Sequence, residues 1–136
     1  MALFEDKVFA ISGGASGMGL AVAKLLASRG ARITIADWQE QALSDAAAAI
    51  EQSSSSSLKP AVLTHKVDVR STEQVDAWIK EAIQTFGRLD GAANMAGIAG
   101  RMGAAGVKDQ DDDDWEVRTR WKALQSCFPQ SSLCVR

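Results

Sequence analysis

Tyrosine is absent from this 136-residue chain, histidine occurs once, and cysteine and proline occur twice each. The missing phenol removes one common proton donor. His65, Cys127 and Cys134 are too few for a convincing zinc site, so no metal ligands are assigned. They are also too few for a disulfide framework, and a reducing, cytoplasmic setting is expected. No long apolar run is present, and the opening MALFEDKV carries Glu5 and Asp6, so neither a signal peptide nor a membrane partner is expected. Lys and Arg number 15 against 17 Asp and Glu, a net charge of −2. That balance gives no basic footprint for nucleic acid and no acidic excess for disorder. A chain of this length fits one domain, which buries roughly two-thirds of its unfolded surface.

Glycine is plentiful, with 11 residues, and its densest use is in Lys7–Gly19, KVFAISGGASGMG. A short apolar run, Val8–Ile11, enters a glycine turn, and a helical pattern begins at about Met18. The glycines stand at Gly13, Gly14, Gly17 and Gly19, with the spacing G-x-x-x-G-x-G counted from Gly13. Residues without a Cβ let the backbone turn sharply and approach a pyrophosphate. The N–H groups and positive end of the following helix stabilise its charge.

The remaining chain alternates strand and helix. Met18, Val22, Leu25 and Leu26 recur at helical spacing up to Gly30, Ile33–Ala36 forms a second strand ending at Asp37, and residues 39–52 form a second helix through Ala42, Leu43, Ala46, Ala47 and Ile50. Ser53–Ser57 and Pro60 read as a surface linker. Ala61–Val67 is the third strand, followed by Asp68-Val69 and a capping box at Ser71-x-x-Gln74. Val75, Trp78, Ile79, Ala82, Ile83 and Phe86 make the clearest amphipathic stripe, stopped by Gly87, and Leu89–Asn94 is the fourth strand. Such alternation predicts an α/β, Rossmann-type doubly wound parallel sheet of about four strands, order 3-2-1-4. Ligands of such sheets bind at the carboxyl ends of strands 1 and 4, where the order reverses. Asp37 can accept hydrogen bonds from both adenosine ribose hydroxyls and repel a 2′-phosphate, favouring NAD, with NADP as the alternative. The alternatives are an Asp37 that caps the second helix and an Asp68 that is a turn acid. His65 is mid-strand with no acid predicted beside it, and reads as structural, as do Lys66 and Lys80. Asp109–Asp114 reads as a helix start, where negative charge is favoured, rather than as a metal site.

Ser12-Gly13-Gly14-Ala15-Ser16-Gly17-Met18-Gly19 resembles the TGxxxGxG loop of the short-chain dehydrogenases/reductases, with Ser12 in place of threonine. Asp68-Val69 resembles the acid at the end of that family's third strand. Asn94-Met95-Ala96-Gly97 resembles its NNAG segment, with Met95 for the second asparagine. RLDGAAN at 88–94 and DDDDWE at 111–116 are similar to its run into strand 4 and the helix after it. The resemblance implies a nicotinamide dinucleotide whose pyrophosphate lies on Gly13, Gly17 and Gly19 with Ile11, Ser12 and Met18 alongside. It further implies Asp37 at the adenosine ribose, Asp68 and Val69 at the adenine, and Asn94, Ala96 and Gly97 at the nicotinamide ribose. The implied chemistry is hydride transfer between NAD(P)H and an alcohol/ketone carbon.

The resemblance also implies a Tyr-x-x-x-Lys pair, a serine ahead of it, and an asparagine on the helix after strand 4. This sequence has no tyrosine, and Lys122 stands at the expected asparagine position. No catalytic residue is therefore assigned. The expected organisation is a dinucleotide-binding half over 1–116 and an unrelated basic tail over 117–136, in which Val117, Trp121, Leu124 and Phe128 keep a helical period. A frame shift, retained intron or early stop in a longer dehydrogenase is the expected cause of the change after Glu116. Three functions follow as expectations: a truncated oxidoreductase inactive alone, a non-catalytic dinucleotide-binding or assembly module that self-associates through strand 4, or a truncated product without function.

Overall fold

The computed structural model describes residues 3–97. Four strands, β1 (Val8–Ser12), β2 (Arg32–Asp37), β3 (Val62–Lys66) and β4 (Gly91–Asn94), form one parallel sheet in the order β3-β2-β1-β4. Three helices connect them: α1 (Gly17–Ser28), α2 (Glu40–Ser53) and α3 (Thr72–Phe86). The predicted class and strand order are those observed. None of the described helices is long and apolar enough to cross a membrane.

β2 lies at the centre of the packing. Ile33 and Ile35 face α1 and α2 in a cluster with Ile11, Ala27, Leu43 and Ile50. Ala36 faces the other way, with Ala10, Val67, Val69 and Trp78 of α3. Alternation along the strand thus gives each face its own core, and each fully buried isoleucine contributes about 1.5–3 kcal/mol. Trp78, 1% exposed, carries its indole N–H across to Thr34 Oγ1 at 2.7 Å, which satisfies both polar groups inside the second core.

α1 buries a different face from the one its large side chains suggest. Gly19, Ala23 and Ala27 are its buried residues, while Met18 and Leu25 are exposed. Small residues four apart let the helix lie close to the sheet, and the bulky members of the stripe remain at its margin or in solvent. At its end Gly30 N–H donates to Ala27 O and Ala31 N–H to Leu26 O, the paired bonds of a glycine C-terminal cap. α3 follows its predicted stripe more closely: Trp78, Ala82 and Phe86 are buried, and Ile83 is exposed.

Two local expectations are corrected. Only half of the capping box forms: Ser71 Oγ accepts from Gln74 N–H, but Gln74 Oε1 accepts from Asp68 N–H instead of returning to Ser71. His65 does meet an acid, because α3 brings Glu81 Oε2 to 3.0 Å from its Nε2. Nothing local to the strand signals this contact, since Glu81 lies 16 residues further along the chain, on the next helix. Residues 98–136 lie outside the described residues; they include the 98–106 part of the glycine-rich loop, Asp109–Asp114, both cysteines and the basic tail.

Candidate functional site

β1 and β4 are neighbours although β2 and β3 intervene in sequence, so the chain leaves the sheet in opposite directions at their carboxyl ends. A cleft of about 320 Å³ opens there. Its floor and sides come from four segments. Gly13, Ser16, Gly17, Met18 and Gly19 belong to the turn after β1; Asp37, Trp38 and Gln39 stand at the end of β2; Val67 and Val69 follow β3; Met95, Ala96 and Gly97 follow β4.

Backbone bonds close the glycine turn over the end of β2. Gly13 N–H and Gly14 N–H both donate to Ala36 O, at 2.7 and 3.3 Å, and Ala15 N–H donates to Asp37 Oδ2 at 3.3 Å. Gly13 has φ +67°, and a Cβ there would stand 2.6 Å from Ala96 Cα, so the turn and the segment after β4 touch backbone to backbone. Gly17, φ +54°, faces open space: a Cβ would meet nothing within 4 Å and would project where a ligand could lie. α1 begins beside it. Its N-cap residue Ser16 makes no side-chain cap hydrogen bond, and its first turn contains no acidic residue. The positive end of this helix is therefore left for an anion. These features fit a dinucleotide: a glycine cradle a side chain would fill, an uncapped helix start, and a carboxylate at the next strand end.

Asp37 is at the cleft and is not the N-cap of α2. Its Oδ1 accepts from Trp38 N–H at 2.8 Å and Gln39 N–H at 3.3 Å, and α2 starts with Gln39 as a cap residue that makes no side-chain bond. Of the other predicted residues, Gly13, Gly17, Met18, Gly19, Val69, Ala96 and Gly97 line the cleft, and Ile11, Ser12, Asp68 and Asn94 do not. Ile11 and Ser12 are buried under it. Ser12 braces the site: its carbonyl accepts from Met95 N–H at 3.1 Å, its Oγ from Ala96 N–H at 3.4 Å, and it stands opposite Asn94 in the sheet register. Asp68 is engaged with Arg70, which holds its carboxyl below the ordinary carboxylate range. Sequence reasoning missed Trp38, 59% exposed on the cleft rim, together with Ser16, Gln39, Val67 and Met95. Trp38 follows Asp37 directly, and its place after a strand end was the available signal.

A parallel sheet in this strand order, with a glycine turn at its switch point, defines a Rossmann-type fold. The short chain dehydrogenase family model matches residues 7–123, and the chain belongs to that family. The short-chain dehydrogenase/reductase aba4 of Botryotinia fuckeliana is 50% identical over 114 residues, 83% of this chain and 43% of the relative. Chanoclavine-I dehydrogenase easD of Arthroderma otae is 39% identical over 122 residues, 85% of this chain and 44% of that protein. Among solved structures, NAD+-bound xylitol dehydrogenase matches with a TM-score of 0.81 at 27% identity, over 91% of this chain and 45% of that one. The chain thus spans under half the length of these proteins.

Proposed function

We propose that this chain is the cofactor-binding part of an NAD-dependent oxidoreductase that transfers hydride between the nicotinamide and an alcohol/ketone carbon. The observation that carries this is the convergence of the uncapped α1 N-terminus and the Asp37 carboxylate on one cleft. The nicotinamide dinucleotide supplies the hydride when bound; the chain's own residues hold and orient it. Gly13, Gly17 and Gly19 let the pyrophosphate approach the backbone, and Met18 lies alongside. Asp37 accepts from the ribose hydroxyls and repels a 2′-phosphate, which favours NAD over NADP. Val69 lies against the base, and Ala96 and Gly97 along the nicotinamide ribose. Ile11 and Ser12 support these segments from beneath, and Asn94 stands beside Ser12 at the end of the sheet. A cytoplasmic setting belongs to the same proposal and rests on the sparse cysteine content.

These 136 residues supply no tyrosine to deliver a proton. General acid–base assistance is typically worth about 10²–10⁴-fold in rate, so the chain by itself is expected to bind cofactor and reduce no ketone. The test is calorimetric titration of the 136-residue chain with NADH and NADPH, followed by a turnover assay with simple ketones. Saturable NADH binding without turnover supports the proposal; a soluble, folded chain that binds neither cofactor overturns it.

A second reading, self-association, is favoured by β4, which among the described residues pairs only with β1 and has Ala92 and Asn94 exposed. A strand paired on one side offers backbone groups to another chain. Light scattering that finds only monomer at high concentration would remove this reading.

A further inference from the structure

The glycine turn is tied to the last two residues of β2, and the ties differ in kind. Gly13 N–H and Gly14 N–H donate to Ala36 O, a main-chain carbonyl that any residue at that position would supply. Ala15 N–H donates to Asp37 Oδ2 at 3.3 Å, a side-chain atom, and Asp37 stands on the cleft. All three N–H groups point back to the strand, so a phosphate must draw its donors from further on, in the first turn of α1. Leu20 N–H closes that turn on Ser16 O at 3.2 Å, and the helix has no carbonyl of its own for the N–H groups before it.

Ala15 lies between the strand and those donors. It is two residues from Gly17, where α1 begins, and its side chain is buried in the core that holds Ile35 and Leu43. Of the three ties, its bond to Asp37 is the one nearest the start of the helix. The carboxylate is itself held from the other side, because Oδ1 accepts from Trp38 N–H at 2.8 Å and Gln39 N–H at 3.3 Å. Fixed by its own loop on one oxygen and bonded to the turn on the other, Asp37 forms a strut between β2 and the start of α1.

We infer that Asp37 is a positioning residue for the phosphate as well as an acceptor for the ribose, so that one side chain sets both subsites. This rests on the cofactor reading above and deepens it. Asp37 acts on the phosphate through Ala15, so its removal weakens even a ligand that offers the carboxylate nothing to accept. The negative charge of Asp37 by itself disfavours an anion nearby. A positioning role and a purely electrostatic one therefore push phosphate affinity in opposite directions.

The test titrates the full 136-residue chain and its Asp37→Ala variant with ADP and with 2′,3′-dideoxy-ADP, which keeps the base and the diphosphate and lacks both ribose hydroxyls. Wild type is expected to bind ADP roughly tenfold more tightly than the dideoxy nucleotide, as hydrogen bonds to a charged acceptor allow. Asp37→Ala, checked for folding by circular dichroism, is expected to erase that difference and also to weaken the dideoxy nucleotide roughly fivefold, the contribution of about one hydrogen bond. Amide hydrogen exchange gives a readout that general loosening would not: Ala15 loses protection in the variant, while Gly13 and Gly14, held by Ala36 O, keep theirs. A dideoxy affinity unchanged or tightened in the folded variant overturns the inference and leaves the cofactor reading standing. Equal protection of Ala15 in both proteins does the same, as does protection lost at Gly13, Gly14 and Ala15 together. A folded wild-type chain that binds neither nucleotide, nor NADH, overturns both.

Discussion

Asp37 and Asp68 occupy the same place in successive β-α units, one residue type at the carboxyl end of adjacent strands, and the fold commits them differently. Asp37 spends its oxygens on backbone N–H groups of Ala15, Trp38 and Gln39 and remains on the cleft. Asp68 is paired with Arg70 and is not among the residues lining the cleft. The residues that follow each acid decide this. Trp38 and Gln39 offer only main-chain donors at short range, whereas Arg70 returns a guanidinium as well as an N–H. The two acids thus differ in the kind of donor their loops supply, neutral backbone N–H groups at Asp37 and a charged guanidinium at Asp68.

The contrast depends first on the glycine turn, which carries Ala15 to Asp37. Gly13→Ala forces a Cβ to 2.6 Å from Ala96 Cα at φ +67°. It is expected to cost about 2–5 kcal/mol in a denaturant titration and to abolish cofactor binding. Asp37→Arg is next in size. Exchanging the acceptor for a cation at the ribose should shift the NADH-to-NADPH affinity ratio on the order of 10²-fold toward NADPH, read by fluorescence titration. The same substitution at Asp68 should leave that ratio close to its starting value.

Acid distinguishes the second carboxylate. The folded-state pKa of Asp68 is lowered from an ordinary 3.8 by Arg70, so its contribution to stability is present above that value and is lost as pH falls through the lower folded one. Arg70→Gln removes the contribution at every pH. The stability gap between wild type and this variant should thus be open at pH 6 and close below about pH 4, measured by urea denaturation. Asp90, whose partial burial is outweighed by its bonds to Arg88 and Val8 N–H so that its pKa is also lowered, titrates in both proteins and cancels in the comparison.

The helix starts beyond the two acids differ in the same sense, by a smaller amount. Ser71 caps α3 through Gln74 N–H, while Gln39 caps nothing. Ser71→Ala should cost about 1 kcal/mol and Gln39→Ala a few tenths, by thermal melting.

Much of this fold was legible because its signals are local and periodic. Val8–Ile11, Ile33–Ala36 and the α3 stripe each announce an element, and alternation dictates a parallel sheet. The glycine turn and Asp37 were legible for a related reason: a backbone that must approach a phosphate can be built from few residue types. The misreadings share a different cause. The stripe of large residues on α1 suggested a face that the sheet does not use, because close packing selected Gly19, Ala23 and Ala27 instead. His65 lacked a visible partner because Glu81 arrives from α3, in the next unit of the chain. Arg70 was invisible as the partner of Asp68 because their pairing depends on the turn between them, and Trp38 was passed over beside a residue with a ready role. Each miss concerns which side chain meets which, and tertiary packing decides that.

The central claim is that the turn after β1 and the loops after β2, β3 and β4 together hold a nicotinamide dinucleotide. Amide NMR on the 136-residue chain during NADH titration tests it most directly. Saturable shifts confined to the cleft, at Gly13, Gly17, Met18, Asp37, Val69 and Ala96, and markedly weakened by Asp37→Ala, are predicted. A folded chain whose amides do not move, or move only at the far end of the sheet around Lys7, Arg32 and Asp90, would contradict the account.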